Sequence, residues 1–316
     1  MEKERKPMTK RRKKELFFII VLLAYPVIQF LMTWIFVNSY SVVLAFQRVS
    51  MEGDVSFAGF EHFTYVIRKI FEKDLGATIV NGGHVIPNNL LLLLNSIGYG
   101  FVSIFISLPL ALIASYFLSK KMPFANVFRV IFFLPNIISI VALIFAFRMQ
   151  VNSDVGLVYH FLRVLGIKPD ITVWPTSSIV IYVYCIWAGI GYNVLLLSGA
   201  IGRVPKELFE SAQMDGAGNF KQFTKIMIPM IWPTVVTMIV LGMTSILTLY
   251  LQPDLFAKYG YTHATTIAGS IFDGINKGKN HYPELSAFGL LFSFVLAPLI
   301  LYIRKVISKK YSDTDC

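Results

Sequence analysis

Asn95, Asn136, Trp187, Asn193, Thr244 and Thr248 lie inside long apolar runs of a 316-residue chain. A polar group in such surroundings is costly unless it is hydrogen-bonded. Amides and hydroxyls can bond the hydroxyls of an uncharged solute, and an aromatic face can stack on a sugar ring, so one reading of these residues is a solute path. The same groups can bond one membrane helix to another, and that second reading stays open for each of them. Ionisable groups are nearly missing from the runs, with Arg148 near the end of the third as the main exception. Charges at membrane depth mark proton and ion relays, so their scarcity argues against a proton-coupled carrier. The sequence contains no Gly-x4-Gly-Lys-Ser/Thr phosphate loop, no His-Glu-x-x-His and no serine elbow. It therefore offers no catalytic residue and no ATP-hydrolysing site of its own. The histidines, His62, His84, His160, His263 and His281, are scattered, and Cys185 and Cys316 are the only cysteines. Neither a metal site nor a disulfide framework is expected from them.

The elements that must position these residues follow from composition. The chain is 55% hydrophobic and 15% charged, with a net charge of +11. Such a chain has lipid as its main solvent, and its basic excess reads as a topology signal rather than a nucleic-acid surface. Six runs are long enough to cross about 30 Å of hydrocarbon. They cover residues 16–43, 90–118, 127–149, 179–201, 231–251 and 285–303. The first is too long for a secretory signal peptide and lacks a small-x-small cleavage site, so it reads as a retained helix. With the N-terminus inside, 19 of the 29 lysines and arginines fall on the inner face, which predicts two cytoplasmic termini in a multi-pass protein of the cell membrane. The expected organisation is a basic tail (1–15), an all-α membrane domain (16–303) and a short cytoplasmic tail (304–316). The basic run 10–14 can fix topology or touch anionic membrane lipid. Residues 157–167 have helical apolar spacing and suit either an interfacial helix or a packed loop helix. Gly189, Gly191, Gly199 and Gly202 would allow close helix approach, and Pro26, Pro109, Pro135 and Pro298 imply kinks.

One segment does not belong in lipid. Residues 203–229 read as two short helices around a turn. Pro205 suits the start of the first, and Glu207 and Glu210 complement its positive end. Gly216, beside Asp215, can take the left-handed conformation that ends a helix. A second helix then runs from about residue 220 to 226 until Pro229 ends it and opens the next span. Leu208, Phe209, Ala212, Phe220, Phe223 and Ile226 give this element an apolar surface that needs a partner.

The run Glu210-Ser211-Ala212, with Gly216 six positions after the glutamate, Ile226 ten further on and Ile228-Pro229 following, resembles the EAA motif of ABC importer permeases. The string 205–233 is most similar to permeases of the maltose and glycerol-3-phosphate type, which take up carbohydrate by binding-protein-dependent transport. Phe57-Ala58-Gly59-Phe60 before Phe63, Asn95-Ser96, Phe132-Phe133-Leu134-Pro135 and Trp187-x-Gly189-x-Gly191-x-Asn193 extend the resemblance over about residues 57–303. Ser211 stands where the family usually has alanine, and 252–282 lacks its glycine-rich outer run. The resemblance implies a six-transmembrane-helix permease of the type I importer fold, with a cytoplasmic coupling helix between the fourth and fifth spans. It implies that Glu210, Ser211, Ala212, Asp215, Gly216, Ile226 and Pro229 form the ATPase-coupling element. It also implies a second, homologous permease chain, two copies of a cytoplasmic ATPase that hold the ATP and magnesium, and an extracellular solute-binding protein. No cofactor is implied for this chain itself.

Overall fold

The computed structural model describes residues 10–50, 54–72, 77–79, 85–120, 122–166, 176–257 and 263–309. Helix α1 (Lys10–Ala45) leads through a hairpin of β1 (Gln47–Val49) and β2 (Val55–Phe57) to α2 (Glu61–Phe71). The hairpin is antiparallel, with Gln47 opposite Phe57. Gly59, at φ +56°, turns the chain so that Phe46, Phe60 and Phe63 meet within 6 Å, which accounts for the Phe-Ala-Gly-Phe signature. A second hairpin, β3 (Ala77–Ile79) with β4 (Val85–Pro87), precedes α3 (Asn88–Val102).

Four helical stretches match expected spans as single long helices: Lys13–Ala45, Asn88–Ser119, Thr176–Ile201 and Lys279–Ser308. The third and fifth predicted spans differ from expectation. The third is two helices, α5 (Ala125–Ile137) and α6 (Ile140–Val151), bent by 103° at an extended Ile138. Pro135 in the last turn of α5 has no N–H to give its helix, which weakens the ladder just before the break. The fifth, α12 (Trp232–Thr248), is set at 77° to the helical stretch before it, Asn219–Met230.

Prolines act here in two ways. The second span joins α3 to α4 (Leu108–Ser119) through a π-turn at Ser103–Ser107, just upstream of Pro109. The same offset recurs where α10 (Asn219–Gln222) passes through a π-turn at Phe223–Met227 into α11 (Ile228–Met230), which contains Pro229. Proline removes the i→i−4 bond and its ring crowds that carbonyl, and a turn widened to i→i−5 relieves both. Leu108 N–H to the Ser103 carbonyl and Ile228 N–H to the Phe223 carbonyl are the widened bonds. Pro229 thus widens its helix and does not end it. The chain breaks two residues later at Ile231, and Pro233 opens α12. Pro26 and Pro298 lie inside unbroken helices.

The largest buried cluster joins α4, α8 (Thr176–Ile201), α12 and the π-turn before α11 through Leu112, Leu197, Met227 and Val235. A second joins Tyr99, Ile144, Ile181, Tyr184 and Phe256. Of the glycines expected to admit close packing, Gly191 does so: a Cβ there would stand 1.8 Å from the Phe132 carbonyl oxygen of α5. Gly189 and Gly199 face open space, and Gly202 meets only carbonyls of its own helix. Gly100 on α3 and Gly242 on α12 have the close-packing role instead, with Ile246 and Ile104 as their neighbours. The loop helix expected near 157–167 is α7 (Leu157–Val164), and none of its residues is buried.

Candidate functional site

Beside the break between α5 and α6 lies a cavity of about 410 Å³. Pro135, Asn136, Ile138 and Ile140, which flank the break, form one wall. The second span supplies Tyr99, Ser103 and Ser107, one helical face at i, i+4 and i+8. α8 supplies Tyr184, Cys185, Gly189, Tyr192 and Asn193, and the fifth span with its C-terminal extension supplies Ser245, Leu249 and Gln252. The described lining carries hydroxyls and amides and no lysine, arginine, aspartate or glutamate.

Two of the six candidate path residues are on this wall. Asn193 donates Nδ2 to Ser107 Oγ at 3.3 Å, and Asn136 donates Nδ2 to the Ala188 carbonyl at 3.0 Å. Both bonds cross between helices, so these amides bind the bundle together while facing the cavity. Tyr99 presents a buried hydroxyl that has no partner within the described protein. The other four candidates lie off the wall. Trp187 packs between Phe147, at 5.9 Å, and Tyr184, at 6.2 Å. Thr244 and Thr248 donate to carbonyls of their own helix, those of Leu241 and Thr244. Asn95 is a strap: Nδ2 donates to the His263 and Thr265 carbonyls at 2.8 and 3.0 Å, and Oδ1 accepts from Ser178 Oγ. Its neighbour Ser96 accepts the Ile267 N–H, so the Asn-Ser pair fixes the start of α14 (Ile267–Ile275), whose first turn is also capped by Thr266.

Sequence reasoning missed Tyr99, Ser103, Ser107 and Tyr192. The spacing of the first three was the available signal, since it puts them on one face of the second span.

The polar segment between the fourth and fifth spans folds around its glycine. α9 (Lys206–Met214) is preceded by Pro205 and carries Glu207 in its first turn. Gly216 has φ +73°; its N–H bonds the Gln213 carbonyl at 3.0 Å, and the Ala217 N–H bonds the Ala212 carbonyl at 2.8 Å. This pair of bonds is a Schellman turn. The predicted single apolar surface divides in two. Phe209 and Phe223 pack inward on the main cluster, with Phe223 5.2 Å from Tyr116. Leu208, Met214 and Phe220 remain exposed, at 41%, 89% and 78%. Glu210, Ser211 and Asp215 are exposed around the turn, while Ala212 and Ile226 are half-buried.

Residues 94–313 match the binding-protein-dependent transport system inner membrane component family. The chain belongs to this family. Membership makes it the membrane component of a transport system, and its several apolar helices make it multi-pass. Its relatives include the Arabinooligosaccharides transport system permease protein AraP of Bacillus subtilis, 26% identical over 66% of this chain and 62% of that one. They also include the Alpha-glucoside transport system permease protein AglF of Rhizobium meliloti, 26% identical over 58% of this chain and 57% of that one. These matches span about three fifths of the relatives' lengths. The permease has the fold of a bacterial ABC transporter involved in the import of the acidic polysaccharide alginate. That likeness has a TM-score of 0.72 at 19% identity and covers 94% of this chain and 97% of that one.

Proposed function

We propose that the chain is one of a pair of permeases in an ATP-driven importer that moves a sugar or oligosaccharide delivered by an extracellular binding protein. The observation that carries this reading is a cavity whose described lining adds tyrosines, serines, asparagines and a glutamine to apolar residues and includes no charged side chain, beside a bend in the third span. Hydroxyls and amides match a polyhydroxylated neutral solute, and the lack of a cation is unsuited to a phosphate ester or an acidic saccharide. The relatives named for arabinooligosaccharide and alpha-glucoside transport support the same substrate class. A polyamine would call for carboxylates, which the described lining lacks.

In this reading both termini are cytoplasmic, and α9 with its Gly216 turn seats on an ATPase subunit. Exposed Leu208, Met214 and Phe220 supply the contact, and Glu210, Ser211 and Asp215 surround it. Two ATPase copies hold ATP and magnesium. Their closure moves α9, α9 moves α8 and the α10–α12 stretch, and the cavity beside the bend changes its open side. The test is co-purification from detergent-solubilised membranes of the wild type and of Gly216→Asp. Wild type should bring down an ATPase and a second six-span chain, and the variant should lose the ATPase while staying folded. Wild type that purifies alone would overturn the importer reading.

A further inference from the structure

The end of the bundle that carries α9 holds a second cavity, of about 500 Å³. Its wall gathers three cations from three places: Lys120 after α4, Arg129 on α5 and Lys206 at the start of α9. Glu210 is the one carboxylate on the described wall, so the lining is cationic on balance. None of the three cations forms an ion pair with a described carboxylate. Lys120 rests on the Tyr116 ring at 4.9 Å and donates to the neutral side-chain oxygens of Asn219 and Gln222. Arg129 donates Nη1 to Asn126 at 2.9 Å and Nη2 to the Leu118 carbonyl at 3.0 Å, and its Nε is buried with no acceptor.

Ser198, facing the same cavity from α8, also has a buried hydroxyl with no partner. The described residues contain three such unmet side-chain atoms, and two of them meet here. Buried donors are nearly always satisfied, so a cluster of unmet ones beside unpaired cations points to an acceptor that the chain does not supply. The donors on the wall come from the end of α4, from α5 and α8, and from the start of α9. A planar carboxylate serves one such direction well, whereas a phosphoryl group presents several charged acceptor oxygens in a tetrahedron.

We propose that this cavity binds a phosphoryl group, clamping α9 to the hairpin of α4 and α5. The group can be the headgroup of an anionic phospholipid or a soluble phosphate. The site stands on its own geometry and does not depend on which solute the permease carries.

The test uses the full chain in lipid nanodiscs, with melting temperature as the readout. In phosphatidylcholine discs, inorganic phosphate is titrated at constant ionic strength against chloride; in parallel, phosphatidylglycerol replaces part of the phosphatidylcholine. Saturable stabilisation by phosphate identifies a soluble ligand, and stabilisation by phosphatidylglycerol alone identifies a headgroup. Whichever probe acts, Arg129→Gln and Lys206→Gln should weaken it about tenfold, as expected for loss of a charge-assisted bond. Glu210→Gln should strengthen it, and these opposite signs separate electrostatics from damage to the fold. Should Arg129→Gln fail to fold, the exposed Lys206→Gln decides. No response to either probe, or equal responses in wild type and both cation variants, would overturn the proposal.

Discussion

The contact of α5 on α8 and the turn after α9 both depend on a glycine, for unlike reasons. Gly191 has ordinary helical backbone and no room, because the Phe132 carbonyl would lie 1.8 Å from an added Cβ. Gly216 has open space around it and a backbone, φ +73°, that a side chain resists. Membrane helices are not driven together by water, so close backbone approach through small residues is a main source of their cohesion. The first glycine therefore holds the wall of the cavity beside the α5–α6 break, and the second shapes an exposed surface. Damage to one should appear as lost protein and damage to the other as lost partnership.

The largest effect is expected from Gly191→Val. The clash involves backbone on both sides and cannot be relieved by a rotamer, so a cost of about 3–5 kcal/mol follows. In size-exclusion chromatography the detergent-solubilised variant should run mostly as aggregate. A monodisperse variant with wild-type melting would show that α5 and α8 can part cheaply. Asn95→Leu should come next, at about 2–4 kcal/mol, because it leaves two carbonyls and the Ser178 hydroxyl without a buried partner. Hydrogen exchange should speed up at Ile267 and Gly269, where the strap anchors α14; unchanged protection there would remove Asn95 from that role.

The sequence made the first, second, fourth and sixth spans legible to within a few residues, because nothing but length and hydropathy decides them. The Gly216 turn was legible too, since its bonds are local. Asn95 was not: its partners are 168 and 170 residues away, and a lone amide in an apolar run is the same letter whether it faces a solute or a strap. The two bends were only half legible. Pro135, Pro229 and Pro233 mark where the ladder weakens, but packing decides whether a helix widens, as at Pro229, or folds back, as at Ile138. The helices α13 (Leu251–Ala257) and α14, in the stretch after the fifth span, were not foreseen. They are short, and tertiary packing rather than periodicity holds them.

Gly216→Ala tests the other side of the comparison. The fold should lose only about 1 kcal/mol, the cost of placing a side chain in the left-handed region, and Gly216→Asn should lose less, because asparagine tolerates that region. Melting should move by a few degrees while recovery of an ATPase in co-purification falls in the order Gly, Asn, Ala. Equal recovery across the three would mean that the turn shapes no contact.

The smallest effect concerns the contact of α2 with the last helix, where neither glycine acts. Burial opposes the charge of Lys69, yet hydrogen bonds with Tyr65 and Glu284 and the charge of Glu284 outweigh it and hold its pKa above the ordinary 10.5. Its ammonium lies 3.0 Å from Glu284, tying α2 to the start of α15 (Tyr282–Ser308). A group whose pKa is raised by folding contributes stability that is complete below its unfolded pKa and is lost as pH rises through its folded one. Melting of the wild type should thus fall as pH climbs beyond about 10.5, more steeply than that of Glu284→Gln. Equal slopes would show that the pair joins two elements already held by Val66 and Phe288 in the cluster beneath it.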